Sequence, residues 1–228
     1  MIASVHLADV GARTALAMSR KPPPPGSISG LRRAETALAA PLGASILPKP
    51  QFGRAGLVAF WDDDDAIDRF LTDDPLAAKF ASGWHVRLAP LRAYGTWPGF
   101  PREEVTDQRH VEHEGPVAAI TMGRLRTSQA IRFLRASAKA EGAVLEAPGV
   151  TFTTGLARPP SFVSTFSLWE STRALSTYAY GSKEPAHPDA IANGEAKPFH
   201  HQQAFIRFRP YASQGRLEGK NPLAAAFV

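Results

Sequence analysis

The sequence predicts an α+β protein made of two tandem ferredoxin-like halves, each β-α-β-β-α-β, that close on one another as a pseudo-dimeric α+β barrel. Three observations predict this. Val86 to Gly99 aligns without a gap on Ile206 to Gly219, placing Arg87 on Arg207, Pro90 on Pro210, Gly95 on Gly215 and Gly99 on Gly219. Upstream, Phe60-Trp61-Asp62 is echoed by Leu168-Trp169-Glu170, each at the end of an apolar run. The order of strand and helix signals also repeats. The first echo is offset by 120 positions and the second by 108, so the second copy holds about twelve extra residues between Trp169 and Ile206. Insertions of this kind sit on loops, where function concentrates. The halves are assigned as residues 1–108 and 109–228, with the extra loop at 180–200.

Each element has a local reason. Ile2 to Ala8 alternates apolar and polar positions and reads as a strand. Pro22 to Pro25 form a stiff extended spacer, since four prolines lack donor N–H groups. Beyond it, Ser27 or Ser29 caps a predicted helix with Leu31, Ala34, Glu35 and Leu38 at helical spacing, stopped by Pro41 and Gly43. Ala44 to Leu47 and Gly56 to Trp61 read as strands. Asp62 to Asp65 supply a cap and favourable negative charge for a helix through Phe70 and Leu71, where a divalent-cation site is the less economical reading. Trp84 to Leu91 closes the unit. In the second copy, Val117 to Met122 is a strand, Ser128 caps a helix ended by Gly142, and Val150 to Leu156 and Phe162 to Leu168 are strands. Ser171 starts a helix reaching Ala179, and Ala204 to Arg209 is the last strand. A pocket between sheet and helices is the expected ligand site.

Composition narrows the chemistry. With 44% hydrophobic residues the chain of 228 residues buries an ample core. Apolar runs are interrupted well before the ~20 residues of a membrane span. The amino terminus lacks a secretory pattern, so the expected location is the cytoplasm. The absence of cysteine excludes disulfides, all-Cys zinc, cysteine-held iron–sulfur clusters and thiolate-ligated haem. The net charge of +5 is scattered, and no RNP-type aromatic strand appears, so nucleic acid is not an expected partner. Neither a phosphate-binding glycine loop nor a serine-nucleophile elbow is present.

The residues resemble the spheroidene monooxygenase family from about Val58 to Leu223. Gly95-Thr-Trp97-Pro-Gly99 resembles its Gly-x-Trp-x-Gly turn. Val117 to Arg126 resembles a family strand, Phe162 to Trp169 another, Pro185-Ala-His187-Pro-Asp-Ala-Ile191 a His-bearing segment, and Arg207 to Gly219 the closing strand and turn. The resemblance implies a dimeric α+β barrel oxidoreductase that uses haem, dioxygen and an external electron donor, supplied by a donor protein, on a small hydrophobic substrate such as a carotenoid or other secondary metabolite. Any membrane contact would be peripheral. The alternative is a barrel that binds haem or an apolar molecule without turning it over. Where the family carries glutamates before its last strand, this chain has Gln202 and Gln203, amides that hydrogen-bond but take up no proton near neutral pH.

Candidate site residues follow. His187 lies in the insertion between Pro185 and Pro188 and is the expected metal ligand, as the haem axial imidazole, against the plain reading of a loop histidine. His200 and His201 are candidate catalytic residues. Adjacent residues of an extended segment face opposite sides, so at most one enters a given pocket. Arg207 is assigned both catalytic and cofactor-binding roles, because a guanidinium grips a carboxylate such as a haem propionate. A duplicated Arg also suits a structural ion pair. Trp61 and Trp169 read as core anchors. His110-Val-Glu112-His113-Glu114 has metal-like spacing but lies in the charged linker between halves.

Overall fold

The structure, a computed structural model, describes residues 1–43, 51–107, 113–180 and 198–224. The first copy runs β1 (Ile2–Asp9), α1 (Ala12–Arg20), β2 (Leu31–Ala40), β3 (Arg54–Trp61), α2 (Asp64–Asp73), α3 (Pro75–Phe80) and β4 (Trp84–Gly95). The second runs β5 (Val117–Leu125), α4 (Ala130–Leu145), β6 (Val150–Arg158), β7 (Phe162–Trp169), α5 (Thr172–Tyr180) and β8 (His200–Gly215). Among the described residues, eight strands pair antiparallel in one closed barrel, in the order β1-β3-β2-β6-β7-β5-β8-β4. Each copy contributes the order 4-1-3-2, and the copies join at β2 with β6 and at β4 with β8.

The internal repeat survives in atomic detail. Gly95 and Gly215 both hold a left-handed φ, of 78° and 83°. The following amides make matching bonds, Thr96 N–H to Gln203 O at 2.9 Å and Arg216 N–H to Gly83 O at 3.1 Å. A Cβ at Gly95 or Gly215 would stand 2.3 or 2.1 Å from the same carbonyls, so glycine is required at both strand exits.

Two elements differ from expectation. Leu31–Ala40 is a strand, and the first helix is instead Ala12–Arg20, ahead of the proline spacer. The reason is burial on both faces. Ala37 and Ala39 point into the barrel while Ala34 and Leu38 lie under α1, so the alternation that marks a half-buried strand is absent. The helix-favouring alanines, glutamate and arginines are overridden by pairing with β3 and β6. The predicted strand at 44–47 lies outside the described residues. Ser128 belongs to a 3₁₀ turn at Thr127–Gln129 rather than capping α4, which continues through Gly142 to Leu145.

The aspartate run works as a cap, with Asp63 accepting from Ala66 N–H at 2.9 Å. Its neighbours hold arginines, Asp62 pairing with Arg32 and Asp64 with Arg87. The barrel interior is packed with Phe60, Trp84, Phe162, Phe166 and Phe208. A second apolar layer, including Trp61, Ile67 and Phe70, lies between the first-copy sheet and its helices. Among the described residues no helix is long and apolar enough to cross a membrane.

Candidate functional site

The two copies fill their helix–sheet layers differently. In the first copy, Ala55, Leu57 and His6 on the outer sheet face are buried, and helices α1 to α3 bury Ala15, Met18, Ala66, Ile67, Phe70, Ala77 and Phe80 over that face. Counting from the paired tryptophans Trp61 and Trp169, the matching second-copy positions are Val163, Thr165 and Thr121, and all three are half-buried. Among described side chains, α4 buries only Ala138 and Val144, and α5 only Leu175. Phe205, which stands where His85 stands in the first copy, is 41% exposed. One contact is kept: Tyr178 lies 5.1 Å from Trp169 as Phe70 lies 5.0 Å from Trp61. What differs is the cover. Phe80 of α3 packs 5.8 Å from His6, whereas the second copy reaches the matching count within 181–197, outside the described residues.

This half-open face is bounded along β8 by two predicted site residues. The register shift near Arg124 and Leu125 makes His201 an extra residue, since Gln202 pairs with Arg124 and His200 with Leu125. His201 is exposed, and His200 is turned onto the outer face. Its ring lies against Gly123, where a Cβ would come within 2.5 Å of Nε2, and edge-on to Phe133 at 5.2 Å. Burial lowers its pKa below the ordinary histidine value, a shift the nearby His201 reinforces and a bond with Gln203 partly opposes. The ring is therefore neutral at pH 7, the form that offers a lone pair to a metal.

Arg207 is buried at 8% exposure on the same face. Its repeat partner Arg87 pairs with Asp64 at 2.8 Å and with Asp68. In the second copy those positions are Thr172 and Ser176, and Arg207 instead donates to Ser176 Oγ at 3.2 Å and lies 5.8 Å from the Tyr180 ring centre. Among the described residues no carboxylate pairs with it. Burial pulls its pKa below the ordinary arginine value, and Arg92 beside it adds to that pull. His200 and Arg207 are about 23 Å apart along the strand by its rise, so they mark the two ends of the face.

Haem, the group the resemblance implies, asks for an apolar slot, a neutral imidazole and a cation for its propionates. Of these the second-copy layer has a neutral imidazole, His200, and a cation, Arg207, with the small residues Thr121, Gly123 and Thr165 between them on the sheet face. His187 lies outside the described residues, as do His110 and Glu112. His113 Nε2 is 3.0 Å from Pro116 O. No group of metal-ligating side chains forms among the described residues. Sequence reasoning missed a buried cluster of Glu35 with Arg33, Arg124 and Arg158 inside one end of the barrel. The only signal was Glu35 itself, hidden by the helical reading of its segment. Gln202 faces this end, accepting from Arg124 Nε at 3.2 Å.

No protein-family profile matches the chain. Curated proteins similar to it include the spheroidene monooxygenase of Cereibacter sphaeroides, 26% identical over 192 residues, covering 82% of this chain and 58% of that protein. The spheroidene monooxygenase of Rubrivivax gelatinosus is 29% identical over 177 residues, 75% of this chain and 66% of that protein. That of Rhodobacter capsulatus is 27% identical over 191 residues, 80% and 77%. The chain thus spans less than two thirds of the first two of these proteins. Among solved structures, an aldoxime dehydratase in complex with butyraldoxime superposes over 92% of this chain and 79% of its own, with a TM-score of 0.50 and 11% identity. A putative monooxygenase from Fusobacterium nucleatum covers 96% of both chains with a TM-score of 0.43 and 8% identity. At 11% identity the likeness to the dehydratase is one of fold.

Proposed function

We propose, from the premise that this chain is a relative of the spheroidene monooxygenases, that it is a haem-dependent monooxygenase acting on an apolar substrate, a carotenoid or a comparable secondary metabolite. The observation that carries the proposal is the outer face of the second-copy sheet between His200 and Arg207, whose described residues are only half-buried where their first-copy counterparts are buried. Bound haem would supply dioxygen activation, with one oxygen atom going to the substrate and the other to water, using two electrons from an external donor and two protons. His187 would hold the iron. Arg207 would grip a propionate, a use that suits a buried guanidinium with no carboxylate partner among the described residues. His200, neutral and held against Gly123, would position or donate a hydrogen bond beside the reacting atoms, while exposed His201 would relay protons from solvent. Val163 and Phe205, with the methyl groups of Thr121 and Thr165, offer a wall on which an oily substrate excludes water.

A second reading, haem or apolar-ligand binding without turnover, is favoured by one feature. Gln202 and Gln203 hold no titratable proton, and the side chain of Gln202 is engaged by Arg124. Reconstitution with haemin decides between these readings. A Soret band that is lost in His187→Ala, with product formed under reductant and oxygen, is the expected result. A band without product supports the second reading. No band, or a band that survives in His187→Ala and His200→Ala alike, defeats the haem assignment.

A further inference from the structure

We infer that the barrel end closed by Trp97 is a binding site for a small oxyanion of two or more negative charges, a phosphate or polycarboxylate, separate from the helix–sheet layer. Glu35 lies at its centre, 1% exposed, and both its oxygens are engaged. Oε1 accepts from Arg33 at 2.7 and 2.9 Å and from Arg124 at 3.0 Å, and Oε2 accepts from Arg158. Arg158 also donates to Thr36 O at 2.8 Å. Three guanidiniums thus face one carboxylate, and no second carboxylate pairs with them among the described residues. The exposure is graded. The carboxylate is closed off, whereas Arg33 and Arg124 are 23% exposed and Arg158 is 14% exposed. An anion entering from solvent therefore meets the cations first.

Desolvating three like charges against one partner is unfavourable unless a further negative charge completes the set. The opposite end of the barrel has the reverse balance, a single Arg54 held by Asp9 and Glu218 at 2.9 Å each. In that ion-pair group the carboxylates outnumber the cation. Unspent polar groups supply the independent sign of a ligand. Trp61, Trp84 and Trp169 all donate their indole N–H to side-chain oxygens, at 2.7 to 2.9 Å. Trp97 does not, although it is buried and its ring lies 5.1 Å beneath the Arg124 guanidinium. Ser164 Oγ is likewise buried and unpaired, two residues along β7 from Phe162, whose ring meets Trp97 at 5.8 Å and Arg158 at 4.9 Å. Buried donors without partners are rare, and a seated oxyanion would give the Trp97 N–H its acceptor. Arginine forks match phosphate and carboxylate oxygens in geometry as well as charge.

Calorimetric titration of the full chain with sodium pyrophosphate and with citrate, at constant ionic strength and without haem, tests the inference. Expected are saturable binding of at least one anion, an affinity about 10-fold weaker in Arg33→Gln and Arg124→Gln, and a tighter one in Glu35→Gln, which removes the competing carboxylate. The tighter of the two anions identifies the head group as phosphoryl or carboxylate. Indole fluorescence gives a second readout, with an anion-dependent change that disappears in Trp97→Phe while binding heat remains. Arg33→Gln is the variant to rely on if Glu35→Gln fails to fold, since Arg33 is the more open partner. Absence of saturation with both anions up to about 10 mM overturns the site. So does an affinity that falls as much in Arg32→Gln, whose guanidinium belongs to Asp62, as in Arg33→Gln.

Discussion

Replacing Arg207 with methionine should leave the ligand-free protein as stable as before, or more so, while the same change at its repeat partner Arg87 should weaken it. Arg87 is held by Asp64 and Asp68, which are 49% and 61% exposed. Pairs that open to solvent are screened and contribute roughly 0.2–1 kcal/mol each, so Arg87→Met should lose about 0.5–2 kcal/mol. Arg207 has one hydrogen bond to an uncharged partner, Ser176, long at 3.2 Å and worth about 1.5 kcal/mol with its charged donor, and a distant aromatic contact worth about 0.5–1 kcal/mol. Against these stands the desolvation of a buried charge with no opposite partner among the described residues, several kcal/mol. The balance for Arg207→Met lies between no change and about 3 kcal/mol of added stability. Urea unfolding of both variants at pH 7, with m-values compared, measures it. A loss above about 1 kcal/mol in Arg207→Met would refute the reasoning, because it would mean that this guanidinium is already neutralised by the fold and serves structure rather than a ligand.

Other positions give independent checks. Gly215→Ala and Gly95→Ala should each destabilise by at least about 2 kcal/mol, since both combine a left-handed φ with a Cβ that meets a carbonyl; unfolding midpoints near wild type would contradict the backbone geometry. Gly123→Val should expel the His200 ring from its seat and alter its NMR titration while the fold persists; an unmoved His200 resonance would show that the ring does not rest there. His6 should make the protein acid-sensitive. Burial, aided by His85 and Arg87, holds its pKa well below the ordinary value, so below about pH 6.5 the unfolded chain takes up a proton that the folded chain refuses. Stability is then full above pH 6.5 and falls as the pH drops, by up to about 1.4 kcal/mol per pH unit from this group, and His85, shifted the same way, adds to the slope. His6→Leu should flatten the dependence between pH 6.5 and 5, and an unchanged slope would assign the acid sensitivity elsewhere.

The amino-acid sequence determined the repeat and most of the fold, because the markers of duplication are local. Gly95, Gly99, Gly215 and Gly219 sit where the backbone turns left-handed, and the two strand-end tryptophans anchor matching layers. It did not determine β2. A strand buried on both faces loses its period-two pattern, and only its pairing with β3 and β6 overrides the helical preference of its residues. Among the candidate site residues, His200 and Arg207 could be named from their strand and their repeat, but their environments could not. That Arg87 meets aspartates while Arg207 meets Ser176 depends on which helix crosses each copy of the sheet. The cluster around Glu35 was out of reach altogether, since its members come from β2, β5 and β6 and converge only when the two copies close the barrel. Tertiary closure decides such sites because charges far apart in the chain acquire their energies from proximity and burial, which no single segment encodes.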